Sequence, residues 1–141
     1  MSELKNRIYE ILGKPQLASL ATVTCDGKPW VRYVIALASE DFTIRFATST
    51  KARKVDQIKN NPEVHLTCGV NDPVKMAPYL QIQGKAVLHT EQDVKDEFWN
   101  DTLNKIFQGP DDPNYAVIQV APYKIEYCTP GSFESEVWTS I

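Results

Sequence analysis

The sequence predicts a mainly β fold of the α+β class, an antiparallel barrel with helices appended to it. Three observations carry this expectation. Roughly six segments rich in β-branched, aromatic or alternating apolar residues follow one another along 141 residues. Most of them are joined by short turns, as in hairpins. The helical patterns stand beside the strands instead of alternating with them, which disfavours a parallel, doubly wound sheet. A chain of this length is expected to form one domain spanning residues 1–141 around one core.

The elements follow in order. Leu4, Ile8, Ile11 and Leu12 recur at helical spacing, and Gly13 with Pro15 supplies a stop, so the chain opens with a short amphipathic helix. Leu17 to Cys25 reads as a strand, Asp26-Gly27 as a tight hairpin turn, and Trp30 to Leu37 as the returning strand. A third strand fits Phe42 to Thr48. Lys51 to Asn60 reads as a helix with Val55 and Ile58 facing inward, ended by Asn60-Asn61-Pro62, and Val64 to Cys68 as the next strand. Tyr79 to His89 is a long strand that Gly84 is expected to bend. Thr90 with Asp93 has the spacing of a capping box for a helix running to about Phe107. Tyr115 to Tyr127 is the last strand, interrupted at Pro122. Gly69 to Pro78 and Gln108 to Asn114 are rich in turn formers and read as surface loops.

Composition narrows the function. A formal net charge of −3 argues against general electrostatic binding to nucleic acid or an anionic membrane, so any bound phosphate must meet a local basic cluster. Cys25, Cys68 and Cys128 are odd in number and lack zinc or dithiol spacing, which points to a reduced, cytoplasmic setting. Charges interrupt the apolar positions of the N-terminus, so it lacks the core of a signal peptide, and Val34 to Ala38 is too short to span a bilayer. His65 and His89 stand on predicted strands without metal-ligand spacing and read as structural or surface residues. Phe98 and Trp99, beside Val94 and Ile106, fit a packing face.

Residues 46–55 are the most informative stretch. A strand ends in Thr48, Ser49 and Thr50, and a helix begins beside Lys51, Arg53 and Lys54. A helix start offers free N–H groups and the positive end of a dipole, so cations are unfavourable there unless an anion joins them. A solvated basic patch and an anion site are about equally compatible with these residue types. Arg32 stands in an otherwise apolar strand, where such a residue more often points outward. Its partner could also be a ligand.

With these residues in place, the chain resembles the pyridoxamine 5'-phosphate oxidase-like flavoproteins, which have a split β-barrel that binds FMN, and in particular their short general stress protein branch. The match runs from about Leu17 to Tyr127. Arg32-Tyr33-Val34-Ile35 is similar to the family strand that lies against the flavin ring. Thr48, Arg53 and Lys54 match the threonine and the Arg-Lys pair that hold the FMN phosphate. Residues 57–64, Gln83-Gly84-Lys85-Ala86 and Ile125-Glu126-Tyr127 match the family's later segments in order.

The resemblance implies a homodimer with FMN at the subunit interface, Arg32, Tyr33, Val34 and Ile35 along the ring, and Thr48, Arg53 and Lys54 at the phosphate. Ser49 and Lys51 are suited to join them. Trp138, an aromatic in an acidic tail, either anchors that tail or covers a flavin or a partner subunit.

The departures are specific. Ala52 stands where the oxidases carry a phosphate-contacting serine, and Leu37 where they carry a lysine. Tyr79 and Cys128 replace a glutamine and a tryptophan that reach FMN from the second subunit. After Tyr127 the chain has Glu134 and Glu136 but no Lys, Arg or His, where the oxidases grip the substrate phosphate. The expectation is therefore an FMN-binding, oxidoreductase-like protein without pyridoxamine 5'-phosphate oxidase activity, its small-molecule electron donor or acceptor open. The alternative is a non-enzymatic flavin-binding or protein-interaction module. No side chain stands out as a catalytic acid or base.

Overall fold

In the computed structural model, which describes residues 1–141, the Ser2 hydroxyl accepts the Lys5 amide and starts α1 (Glu3–Leu12). Its inward residues, Ile8 and Leu12, are fully buried against the barrel. β1 (Gln16–Val23) and β2 (Pro29–Ala38) form the expected hairpin, and Gly27 takes the positive φ of 83° that its turn requires. β3 (Ile44–Ser49) leads into α2 (Arg53–Asn60), which buries Val55 and Ile58. β4 (Glu63–Cys68), β5 (Tyr79–His89), α3 (Gln92–Phe98), a 3-10 turn (Asp101–Lys105), β6 (Tyr115–Cys128) and β7 (Glu136–Thr139) complete the chain.

All seven strands belong to one sheet ordered β3-β2-β1-β4-β5-β6-β7, and β3 also pairs with β6. That second pairing closes six strands into an antiparallel barrel and leaves β7 outside the closure. The 14-residue β6 pairs with β5 along one edge and divides the other between two strands: its first half pairs with β3 from Ile44↔Val120 to Ser49↔Tyr115, and its second half pairs with β7 from Lys124↔Thr139 to Tyr127↔Glu136. Between Gln83 and Gly84 the register with β6 shifts, from Gln83↔Lys124 to Gly84↔Pro122, and the close approach there needs glycine, since a Cβ on Gly84 would lie 2.6 Å from Val120 Cγ1.

One seam is incomplete. β2 pairs with β1 along eight residues, from Pro29 to Ala36, whereas β2 and β3 pair only through Leu37↔Arg45 and Ala38↔Ile44. The β3 side of β2 from Pro29 to Ala36 is therefore free of strand partners, and the barrel is split there. Inside it, Ala18, Leu20, Ala36, Ile44, Phe46, Leu80, Ile82, Ile118, Val120 and Ile125 are fully buried, as alternate residues of a strand lining one face must be. A smaller cluster of Leu103, Phe107, Tyr115 and Val117 carries the appended segments, with Val94, Phe98 and Trp99 packed on it. No helix is long and apolar enough to cross a membrane.

Several boundaries differ from the expectation. The third strand begins at Ile44 because Phe42 turns the chain at a φ of 70° while burying its ring. The first strand stops at Val23, where Thr24 Oγ1 accepts the Lys28 amide at 2.9 Å and draws Thr24 and Cys25 into the turn. The helix expected from Lys51 starts at Arg53, after a turn in which the Ala52 amide donates to Ser49 O. The single helix expected from Thr90 to about Phe107 is broken at Trp99-Asn100. Its cap residue is Glu91, with no side-chain cap bond, so the Thr90 and Asp93 box does not form. β7 was not anticipated: four exposed or half-buried residues carry too little alternation to announce a strand.

Candidate functional site

The strand alternation of β2 decides where its candidate residues point. Arg32 is in phase with the buried Val34, Ala36 and Ala38, so it faces the inside of the barrel mouth instead of solvent. Its stem is half-buried and its guanidinium is held by uncharged oxygens. Nη1 donates to Thr22 Oγ1 at 2.7 Å and to Leu20 O at 3.2 Å, and Nη2 donates to Gln57 Oε1 at 2.8 Å. The Thr22 hydroxyl donates to the same Gln57 oxygen at 2.5 Å. Thr22 and Gln57 are buried, at 2% and 9% exposure, so this network fixes the arginine without neutralising it.

Three more cations share the mouth. Trp30, Arg32, Lys51, Ala52, Arg53 and Lys54 line a cleft of about 400 Å³. Arg53 lies over the Trp30 ring, 5.1 Å from its centroid, a cation–π contact that holds the guanidinium on an aromatic face. Burial lowers the pKa of Arg32, and the Arg53 charge lowers it further. Burial also lowers that of Lys54, with Arg32 adding to the effect. None of Arg32, Lys51, Arg53 and Lys54 forms an ion pair: those of the chain involve Arg7, Lys28 and His89. Arg32 and Lys54 are half-buried, Lys51 and Arg53 are exposed, and no carboxylate neutralises the four, an arrangement that suits an anion.

The local sequence adds donors. Ala52 caps α2 without a side-chain hydrogen bond, leaving the helix start open to a ligand. Ser49 Oγ accepts the Lys51 amide at 3.2 Å, so its O–H stays available to donate. Thr48 is buried and its hydroxyl donates to Ser49 O at 3.0 Å, which shapes the turn.

The other face of β2 is apolar and open. Tyr33 is 74% and Ile35 58% exposed, with Leu17 and Val31 beside them by register and alternation. Val34 points into the core, so a ligand along the split reaches its backbone and not its side chain. Trp138 lies on β7, where it meets Phe42 edge-on with centroids 5.1 Å apart and does not line the cationic cleft. Its strand is tied to α1 by Arg7, whose guanidinium donates to both Glu136 oxygens at 2.5 and 2.8 Å.

The structure thus brings Arg32, Lys51, Arg53 and Lys54 to one cleft and sets Ser49 at the turn before it. Tyr33 and Ile35 stand on the adjoining outer face. Sequence reasoning missed Thr22 and Gln57. The available signal was Arg32's phase: an arginine in register with Val34 and Ala36 needs polar partners at the barrel mouth.

Comparison with known proteins agrees with this architecture. The family model described as pyridoxamine 5'-phosphate oxidase matches residues 4–129. General stress protein 26 of Bacillus subtilis (strain 168) is 32% identical over 129 residues, covering 92% of this chain and 91% of that protein. The crystal structure of General Stress Protein 26 from Bacillus anthracis str. Sterne superposes with a TM-score of 0.83 at 28% identity, over 98% of this chain and 99% of that one. A pyridoxamine 5'-phosphate oxidase-related, FMN binding protein of Nostoc punctiforme PCC 73102 shares the fold at a TM-score of 0.68 and 18% identity, over 96% and 83% of the two chains. With its six-stranded split barrel and a family match over nearly its whole length, the chain belongs to the pyridoxamine 5'-phosphate oxidase family, an FMN-binding family, and is similar to its general stress protein 26 members.

Proposed function

We propose that this protein binds FMN in the split of its barrel, as an oxidoreductase-like stress protein and as a homodimer with flavin at the subunit interface. The observation that carries this reading is the unpaired cation cluster at the mouth of a strand edge without a partner. The terminal phosphate would take Arg53, Lys54 and Lys51, with the Ser49 hydroxyl and the start of α2 adding donors. Arg32, fixed by Thr22 and Gln57, presents its charge to the same anion. The free edge of β2 offers backbone donors and acceptors to a planar heterocycle, with Tyr33 and Ile35 outside it. FMN supplies hydride and electron transfer when bound, and the protein supplies position and electrostatics. The apolar outer face of β1 and β2, with Trp30 and Tyr79, would be buried by the second subunit.

Pyridoxamine 5'-phosphate oxidase activity is not proposed. A phosphate ester substrate needs a second cationic pocket, and residues 128–141 offer Glu134 and Glu136 with no Lys, Arg or His. Flavin-loaded protein should release no pyridoxal 5'-phosphate from the amine or alcohol substrate. Fluorescence titration tests the cofactor: FMN should bind at least about a hundredfold tighter than riboflavin, which lacks the phosphate. Equal affinity for the two would sink the assignment. A stable monomer in sedimentation at micromolar concentration, with flavin present, would overturn the dimer.

A further inference from the structure

The outer face of the sheet holds one histidine that the cationic site does not use. β4 follows β1, with Ser19↔Thr67 and Ala21↔His65 in register, and β5 follows β4, with His65↔Gln83. Val31, Ala21, His65, Gln83 and Lys124 therefore form one cross-strand row, with Val31 at its apolar end on β2. His65 stands two strands from Val31, about 10 Å at ordinary strand spacing. It is half-buried in the wall of a cleft of about 260 Å³ that also takes in Ala21, Pro29 and Tyr123.

The second subunit proposed above must cover more than the strip Leu17, Val31, Tyr33 and Ile35, because a stable interface takes about 20–30 residues from each side. The β3 side of β2 is the flavin split, so the covered face extends the other way, across Ser19 and Ala21 of β1 onto β4. These intervening side chains are small and uncharged. The ionisable groups reached next are Glu63 and His65. Glu63 accepts the Tyr123 hydroxyl at 2.7 Å, whereas His65 forms no ion pair. The other charges on this face are Lys85 on β5 and Lys124 and Glu126 on β6, while β1 and β2 present none. Burial lowers the pKa of His65, and Glu126, whose carboxylate accepts the Ser135 hydroxyl at 2.9 Å, opposes that only in part.

We propose that His65 is a proton-operated release of the homodimer: neutral, it is covered by the second subunit; protonated, it holds on to water and opens the interface, and the flavin site with it. The proposal rests on the dimer reading. Covering His65 deepens its burial, so the dimer binds the proton more weakly than the separated protomer does. Dimer affinity is therefore full above the protomer's pKa and falls as the pH drops through it, with one proton taken up by each protomer.

The test is sedimentation of the flavin-loaded protein between pH 7.5 and 5.5, a range that lies above the ordinary titration of carboxylates. The dimer dissociation constant of the parent should rise at least about tenfold over that range, since both histidines contribute, and FMN should be released in parallel. His65→Gln, which keeps polarity without the charge, should hold its dimer constant across the range. His89→Gln, which removes the other histidine, should behave like the parent. A parent constant that does not change with pH, or a His65→Gln variant that changes as the parent does, would overturn the proposal and leave the dimer standing. A monomer at pH 7.5 would overturn the dimer reading and this proposal with it.

Discussion

The barrel has two seams involving β3, and they could hardly differ more. Between β3 and β6 the ladder runs unbroken from Ile44↔Val120 to Ser49↔Tyr115, with Ile44, Phe46, Ile118 and Val120 fully buried behind it. Between β3 and β2 it stops after two pairs, and the space beyond holds Arg32 and three further cations without a carboxylate. The first seam satisfies its backbone and apolar groups internally, and its product is stability. The second leaves a strand edge and positive charge unsatisfied, which costs stability and fits a ligand.

Changes on the two sides should separate accordingly. The largest loss of stability is expected from Phe46→Ala on the closed seam, about 3–5 kcal/mol for an aromatic core truncation, read as a fall in the denaturation midpoint. The folded fraction should keep its FMN affinity. A smaller effect is expected from Gln57→Leu at the open seam, about 1–3 kcal/mol, because Thr22 and Arg32 lose their shared acceptor. Here FMN affinity should fall together with stability, since Arg32 is no longer held, and fluorescence titration beside urea denaturation reads both. If Gln57→Leu lowered stability and left binding untouched, the network would be packing alone.

The smallest effect belongs to a paired cation, Arg7, which serves as the contrast to Arg32. Arg7 holds the Glu136 carboxyl below its ordinary range, chiefly through their hydrogen bonds. A carboxyl with a lowered folded pKa stabilises above its unfolded value and loses that contribution as the pH falls through the folded one. The stability gap between the parent and Glu136→Gln should therefore be constant above about pH 5 and close in more acidic solution. The pair is exposed, so the gap is small and shrinks with salt, and FMN affinity should not change. A gap that widened in acid would contradict the pairing.

Much of the fold was legible because local chemistry and tertiary context agree. Asp26-Gly27 set the first turn, Asn61-Pro62 ended α2, and Gly84 marked the register shift against β6. The failures came where tertiary contacts override local signals. Phe42 accepts a positive φ because its ring is buried against Trp138. The chain after α3 breaks at Trp99, which turns onto Tyr115, while Asn100 restarts it by accepting the Thr102 amide. β7 exists because β6 outruns β3 and because Arg7, 129 residues away, grips Glu136. In the site, the cations of residues 51–54 were visible as residue types beside a helix start. Their lack of carboxylate partners, and the Thr22 and Gln57 cradle of Arg32, depend on packing between β1, β2 and α2 that no local pattern encodes.

The central claim is that the open seam is a phosphate-anchored flavin site, and the most direct measurement is a comparison of FMN and riboflavin affinity in the parent and in an Arg53→Ala, Lys54→Ala double variant. The account predicts that FMN affinity falls by about a hundredfold or more, the loss of two charge-assisted contacts, while riboflavin affinity stays where it was, so that the preference for FMN shrinks to what Arg32, Lys51 and Ser49 still supply. Thermal stability should hold or rise, since the variant removes two charges that repel the half-buried Arg32. An unchanged preference for FMN in the double variant would contradict the account.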